Sequence, residues 1–105
     1  MRDTKPSHQD IAKAFKALSN PNRLRIYQEI LQRQRHDVGP NDDSGCLLYD
    51  FINSLKIGAP TISHHVKELV NANLIRVERN GKFLTCYLNT NMRRKLAEFL
   101  GEGDD

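Results

Sequence analysis

The sequence has no tryptophan, only four Phe and three Tyr, and only two cysteines, Cys46 and Cys86. So few aromatics in 105 residues imply a small, mostly aliphatic core and a chain sized for one domain, 1–105. Two cysteines are too few for a disulfide-built scaffold, and in a reducing cytoplasm they are thiols. No apolar run approaches the roughly 18 residues that a membrane span requires. The first ten residues, MRDTKPSHQD, lack the apolar stretch of an export signal, so the expected location is cytoplasmic. There is no repeat, no glycine-rich phosphate loop and no strained serine elbow. What is present is a mild basic excess: sixteen Lys plus Arg against thirteen Asp plus Glu, a formal charge of +3. That balance suits a nucleic-acid partner without demanding one.

Apolar spacing then sets out the elements. Ser7, with Asp10 three residues on, resembles a capping box ahead of Ile11, Ala14, Phe15 and Leu18 at helical spacing. Asn20-Pro21 ends that helix and caps the next, whose inward stripe is expected to be Leu24, Tyr27, Ile30 and Leu31. Residues 33–45 (RQRHDVGPNDDSG) lose the period and collect turn formers, which predicts a long loop. A short apolar entry from Cys46 leads into a third helix with Leu48, Phe51, Ile52 and Leu55 inward. After a four-residue break, Lys56–Ala59, a fourth helix opens at Pro60 with Ile62, Val66, Leu69 and Val70 inward. The period next becomes two: Ile75 and Val77, then Leu84, Cys86 and Leu88, on either side of Asn80-Gly81. A two-residue Asn-Gly turn would pair Arg79 with Lys82, Val77 with Leu84 and Ile75 with Cys86. A last helix covers about 90–100, and the ends, about 1–6 and 101–105, are expected to fray.

Helix, helix, loop, helix, tight turn, helix, hairpin, helix is the order of a mainly α winged helix-turn-helix with a small β-hairpin wing. That architecture lays the fourth helix in the major groove of double-stranded DNA and the hairpin on the backbone beside it. At about 100° per residue, Pro60, Thr61, His64, Lys67, Glu68 and Asn71 oppose the apolar face, with Ser63 and His65 on the flanks. Thr61, Ser63, His64 and Lys67 near the helix start can donate to phosphate or base acceptors. Arg79 and Lys82 at the hairpin tip would meet phosphate. Any amphipathic helix has a polar face, so it is the order of the elements that carries the assignment. A Cys–His catalytic pair is not supported: His64 and His65 are expected to face outward and Cys86 inward, so the chain is read as no enzyme. A winged helix serving protein contact alone stays open.

These residues also resemble a known family. FKALSNPNRLRIYQEIL is similar to the first two helices of the ArsR/SmtB transcriptional repressors, and LKIGAPTISHHVKELVNANLIRVERNGKFLTCYLN to their recognition helix and wing. The likeness spans about residues 11–89. It implies a cytoplasmic homodimer that represses its own operon and leaves DNA when an inducer binds. It also implies a dimer interface on the first and last helices, here Ile11, Phe15, Leu18, Met92, Leu96, Phe99 and Leu100. The same side chains could instead close the chain's own core. Two-fold symmetry would call for a near-palindromic operator with half-sites roughly 34–36 Å apart, or a multiple.

The likeness stops short of the family's sensing sites. Leu47 and Tyr49 fall where many members carry a Cys-x-Cys metal pair, and no histidine follows His65. Ala59 replaces a polar residue often found at the start of the recognition helix. The chain therefore implies a repressor with no family metal site and no cofactor, its inducer unknown. Cys46 is expected in a strand beside the second wing strand, which carries Cys86. Oxidation or persulfide bridging of that pair is one reading, and two small apolar residues in a sheet is the other. Arsenite or another soft ion could take thiolates from Cys46 and Cys86 of both subunits, but the spacing gives no support, and His36, Asp42 and Asp43 make a poor cluster. The 33–45 loop could instead sense a small ligand or a partner protein, and the dimer interface is the other place for an inducer.

Overall fold

The computed structural model describes residues 8–37 and 46–101. The order is α1 (His8–Leu18), α2 (Pro21–Asp37), β1 (Cys46–Leu47), α3 (Tyr49–Leu55), α4 (Ala59–Asn71), β2 (Ile75–Asn80), β3 (Phe83–Leu88) and α5 (Thr90–Phe99). The strands form one sheet in the order β1-β3-β2, both pairings antiparallel. This is the winged helix-turn-helix expected from the sequence. Phe51, Ile26, Ile30, Ile62, Leu69, Leu74 and Cys86 are its largest fully buried side chains, so α2, α3, α4 and the sheet share the core.

Local chemistry explains the joints. The Asn20 side chain accepts from the backbone N–H of Asn22 (2.9 Å) and Arg23 (3.2 Å), capping α2 as its sequence implied. Helix α4 ends in a Schellman arrangement: Asn73 takes φ +62°, its N–H reaches Val70 O, and the N–H of Leu74 reaches Leu69 O at 3.0 Å. Asparagine tolerates that left-handed backbone better than most residues, and the chain leaves it directly into β2.

Several expectations require correction. Residues 33–37 are helical, not loop, because α2 continues to Asp37 through Arg and Gln, which favour helix without supplying an apolar period. Residues 38–45, including Asp42 and Asp43, lie outside the described residues, as do the Ser7 cap and the chain ends at 1–7 and 102–105. On α2 the buried stripe is Ile26, Tyr27 and Ile30, while Leu24 is exposed, because the stripe centres on the Ile26–Ile30 pair and Leu24 lies well around the helix from it. The break between α3 and α4 is Lys56–Gly58; Gly58 is the N-cap and Ala59 is already helical.

The hairpin register also differs from the Asn80-Gly81 turn, by two residues. Asn80 pairs with Phe83, Arg79 with Leu84, Val77 with Cys86 and Ile75 with Leu88. The loop residues are therefore Gly81 and Lys82, with positive φ at Gly81 and not at Lys82, the type II′ pattern that places glycine first. A slip of two leaves every side chain on its original face, so alternation alone could not reveal it.

Candidate nucleic-acid interface

The turn before α4 is held from both sides. Arg25 donates from Nη2 to Leu55 O (3.3 Å) at the C-terminus of α3, where Lys56 adopts a left-handed backbone. Gly58 O then accepts from the N–H of Ile62 at 3.0 Å to start α4. Ile62, His65, Val66 and Leu69 are buried, which leaves Thr61, Ser63, His64 and Lys67 exposed along the opposite side. All four recognition-helix residues singled out from the sequence thus face solvent.

His65 does not face outward as expected. Its ring is buried, and Arg23 approaches with Nη1 3.5 Å from Nδ1 while donating from Nε to Ala17 O at 2.7 Å. Burial first, and then the charges of Arg23 and His64, hold its pKa below the usual histidine value. The histidine therefore packs as a neutral ring between α4 and the start of α2. Its sequence position on the flank of the apolar arc was the available signal.

The wing adds cations. Arg79 and Lys82 are exposed near the hairpin tip. Ser63, Lys67 and Arg79 line one cleft of about 380 Å³ between α4 and the wing, floored by Val66, Val70, Val77, Leu48 and Leu84. A hydroxyl and two cations over an apolar floor form a trough suited to a sugar–phosphate strand. Lys82 lies in a neighbouring groove across Leu48 and Leu84, and Thr61 and His64 line neither. On the wing Arg76 and Glu78 pair at 2.9 Å, Tyr87 donates to Glu78 at 3.2 Å, and the guanidinium carbon of Arg76 lies 4.0 Å from the Tyr87 ring centre. Sequence reading overlooked this triad, which offsets the one carboxylate on the hairpin.

The expected interface residues divide by burial. Ile11, Met92 and Leu96 are taken up in the chain's own core, and Phe15 and Leu18 are half-buried. Phe99 and Leu100 remain 51% and 70% exposed, with the Phe99 ring 6.0 Å from that of Phe15. Cys46 lies opposite Cys86 in the β1–β3 pairing, as expected, and Cys86 is fully buried. Among the described residues there is no group of three His, Cys, Asp or Glu side chains able to hold a metal, and no helix long and apolar enough to cross a membrane.

No family model matches the chain. Individual relatives do. It is 34% identical over 91 residues to the uncharacterized HTH-type transcriptional regulator YbzH of Bacillus subtilis (strain 168), covering 82% of this chain and 90% of that one. It is 30% identical over 95 residues to the transcriptional repressor SdpR of the same organism, covering 87% and 93%. Among solved structures, an ArsR family transcriptional regulator superposes with a TM-score of 0.70 at 15% identity, over 93% of this chain and 90% of that one. An ArsR-like transcriptional regulator from Rhodococcus sp. RHA1 gives 0.61 at 18%, over 90% and 81%. With relatives of that identity spanning most of both chains, and a recognition helix and wing in the matching fold, the chain belongs to the ArsR family of winged helix-turn-helix transcriptional regulators.

Proposed function

We propose that the chain acts as one DNA-binding and dimerisation domain, a homodimeric repressor that holds a near-palindromic operator until an inducer releases it. The observation that carries the DNA contacts is the shared exposure of Thr61, Ser63, His64 and Lys67 on α4, with Arg79 beside Ser63 and Lys67 in one cleft. In this reading α4 enters the major groove, His64 reads a base edge, and Lys67, Arg79 and Lys82 neutralise phosphates. The repressor role follows the name of SdpR and the cytoplasmic location follows from the DNA target. Phe15, Leu18, Phe99 and Leu100 supply the apolar face for the partner protomer.

Fluorescence anisotropy with the chain's own upstream DNA and a scrambled duplex, at two salt concentrations, tests the reading. Tight, salt-sensitive binding that prefers the upstream duplex is expected. Replacing Lys67 or Lys82 by Ala should weaken binding and reduce the log–log salt slope by about 0.9 each. His64→Ala should lose more affinity for the upstream duplex than for the scrambled one. Equal affinity for both duplexes would overturn sequence-specific recognition, and binding that is weak and insensitive to salt would leave a winged helix with another partner.

The register that sets Cys46 opposite Cys86 supports a second reading, of control by thiol oxidation. Opposed Cα atoms in antiparallel strands lie about 4.5–5.5 Å apart, within the 4.4–6.8 Å that a disulfide spans. Diamide would accept the two hydrogens that the thiols lose as the S–S bond forms. A non-reducing mass measurement with an unchanged count of two thiols would leave Cys86 as a packing residue of the sheet.

A further inference from the structure

Next to the Ser63–Lys67–Arg79 cleft, and sharing Leu48 and Leu84 with it, lies a groove of about 480 Å³ between the start of α3 and the wing. Among the described residues its walls are Leu48, Tyr49, Ile52, Phe83 and Leu84, with Lys82 contributing a cation. Tyr49 and Phe83 are 65% and 43% exposed, large apolar side chains left uncovered next to each other. Their rings meet edge to face, with centroids 6.4 Å apart and planes at 79°. Such a corner offers a third ring one face to stack on and one ring edge to approach, both favourable geometries for aromatic pairs. The Lys82 ammonium stands 5.9 Å from the Phe83 centroid, beside that corner. The volume is in the range of small-molecule sites, which combine an apolar lining with a few placed polar groups.

We propose that this corner of Tyr49, Phe83 and Lys82 binds a small aromatic anion, a carboxylate or sulfonate on one or two rings, and that its occupation weakens DNA binding. The ring packs against Tyr49 and Phe83 over the floor of Leu48, Ile52 and Leu84, and the anionic group pairs with Lys82. The antagonism rests on the reading of Lys82 as a phosphate contact, since an ammonium paired with the ligand is no longer available to DNA. Linkage makes the effect mutual: DNA must weaken the ligand by the same factor by which the ligand weakens DNA.

Anilinonaphthalene sulfonate, an anionic fluorescent probe of this class, and the neutral phenylnaphthylamine allow a test on the full chain. Without DNA, saturable binding of the anion at one site per chain is expected. Tyr49→Ala and Phe83→Ala should each weaken both probes by about fivefold, in keeping with aromatic contact energies. Lys82→Ala should weaken the anion by about threefold and leave the neutral probe unchanged. Absence of saturable binding, or binding indifferent to both aromatic replacements, overturns the site. A second arm adds the upstream duplex. The anionic probe should lower duplex affinity of the wild type, while Tyr49→Ala should bind the duplex normally and resist release. A duplex that binds tightly but ignores the bound probe overturns the antagonism. Failure of the duplex to bind at all counts against the DNA reading, and the probe titrations without DNA still decide the site.

Discussion

His65 fills a core position with a ring that can take up a proton, and its neighbour Arg23 is a cation 3.5 Å away. Protonation would set two positive charges together at the junction of α2 and α4, with His64 adding to the repulsion. The folded-state pKa is lowered from the ordinary 6.5, so below that pH the unfolded chain binds more protons than the folded one. The stabilisation is fully present above about pH 6.5 and is lost as the pH falls through the lower folded value. Thermal melts between about pH 7.5 and pH 5.5 should therefore show a falling Tm, with a shallower fall in His65→Leu. An identical fall in both proteins would assign the acid sensitivity to other groups. Sequence alone did not reveal this role, because a histidine beside an apolar arc reads equally as surface or core until Arg23, 42 residues earlier, is brought against it.

At the scale of elements, the legible features were those written in short-range chemistry. Asn20-Pro21, the Gly58 break before Pro60 and the alternation of Ile75, Val77, Leu84, Cys86 and Leu88 each mark an element by local chemistry alone. Position within an element was less legible. Leu24 and Ile26 are both apolar, and only the packing of α2 into the core decides that Ile26 is inside and Leu24 out. The hairpin shows the same limit, since alternation is blind to a slip of two and the Asn80-Gly81 pair pointed to the wrong loop residues. Of the candidate interface, the exposed face of α4 was readable from its periodicity. The aromatic corner of Tyr49 and Phe83 was not, because it joins residues 34 positions apart across two elements. The observed register makes a distinguishing prediction. Gly81 takes φ +66° with open space around a built Cβ, so Gly81→Ala should cost about 1 kcal/mol through backbone strain alone. Asn80 is a strand residue, so Asn80→Thr should be neutral or slightly stabilising. Urea midpoints of the two variants decide the matter, since an Asn80-Gly81 turn would make Asn80→Thr the damaging change.

For the whole molecule, the question is what covers the end of α5. Phe99 and Leu100 are exposed at the end of α5, and the Phe99 ring meets the half-buried Phe15 of α1 at 6.0 Å, so an apolar patch joins the two helices there. Ile11, Met92 and Leu96 lie beneath it in the core, so they fix the shape of the face without adding area to an interface. If a second copy packs there, the two recognition helices are tied together and each half-site strengthens the other through effective concentration. Leu100 is the position to change, because at 70% exposure it can accept a charge without disturbing the fold. On the proposed dimer, Leu100→Asp should keep the circular dichroism and melting of a folded protomer while sedimenting as a monomer at concentrations where the wild type is expected to sediment as a dimer. Its affinity for a duplex with two half-sites should fall on the order of a hundredfold or more, with affinity for a single half-site unchanged. Loss on the single half-site as well would mean that the charge acts on the protomer itself. Wild-type sedimentation of Leu100→Asp would remove the end of α5 from the proposed interface, and a wild type that itself sediments as a monomer would overturn the dimer reading.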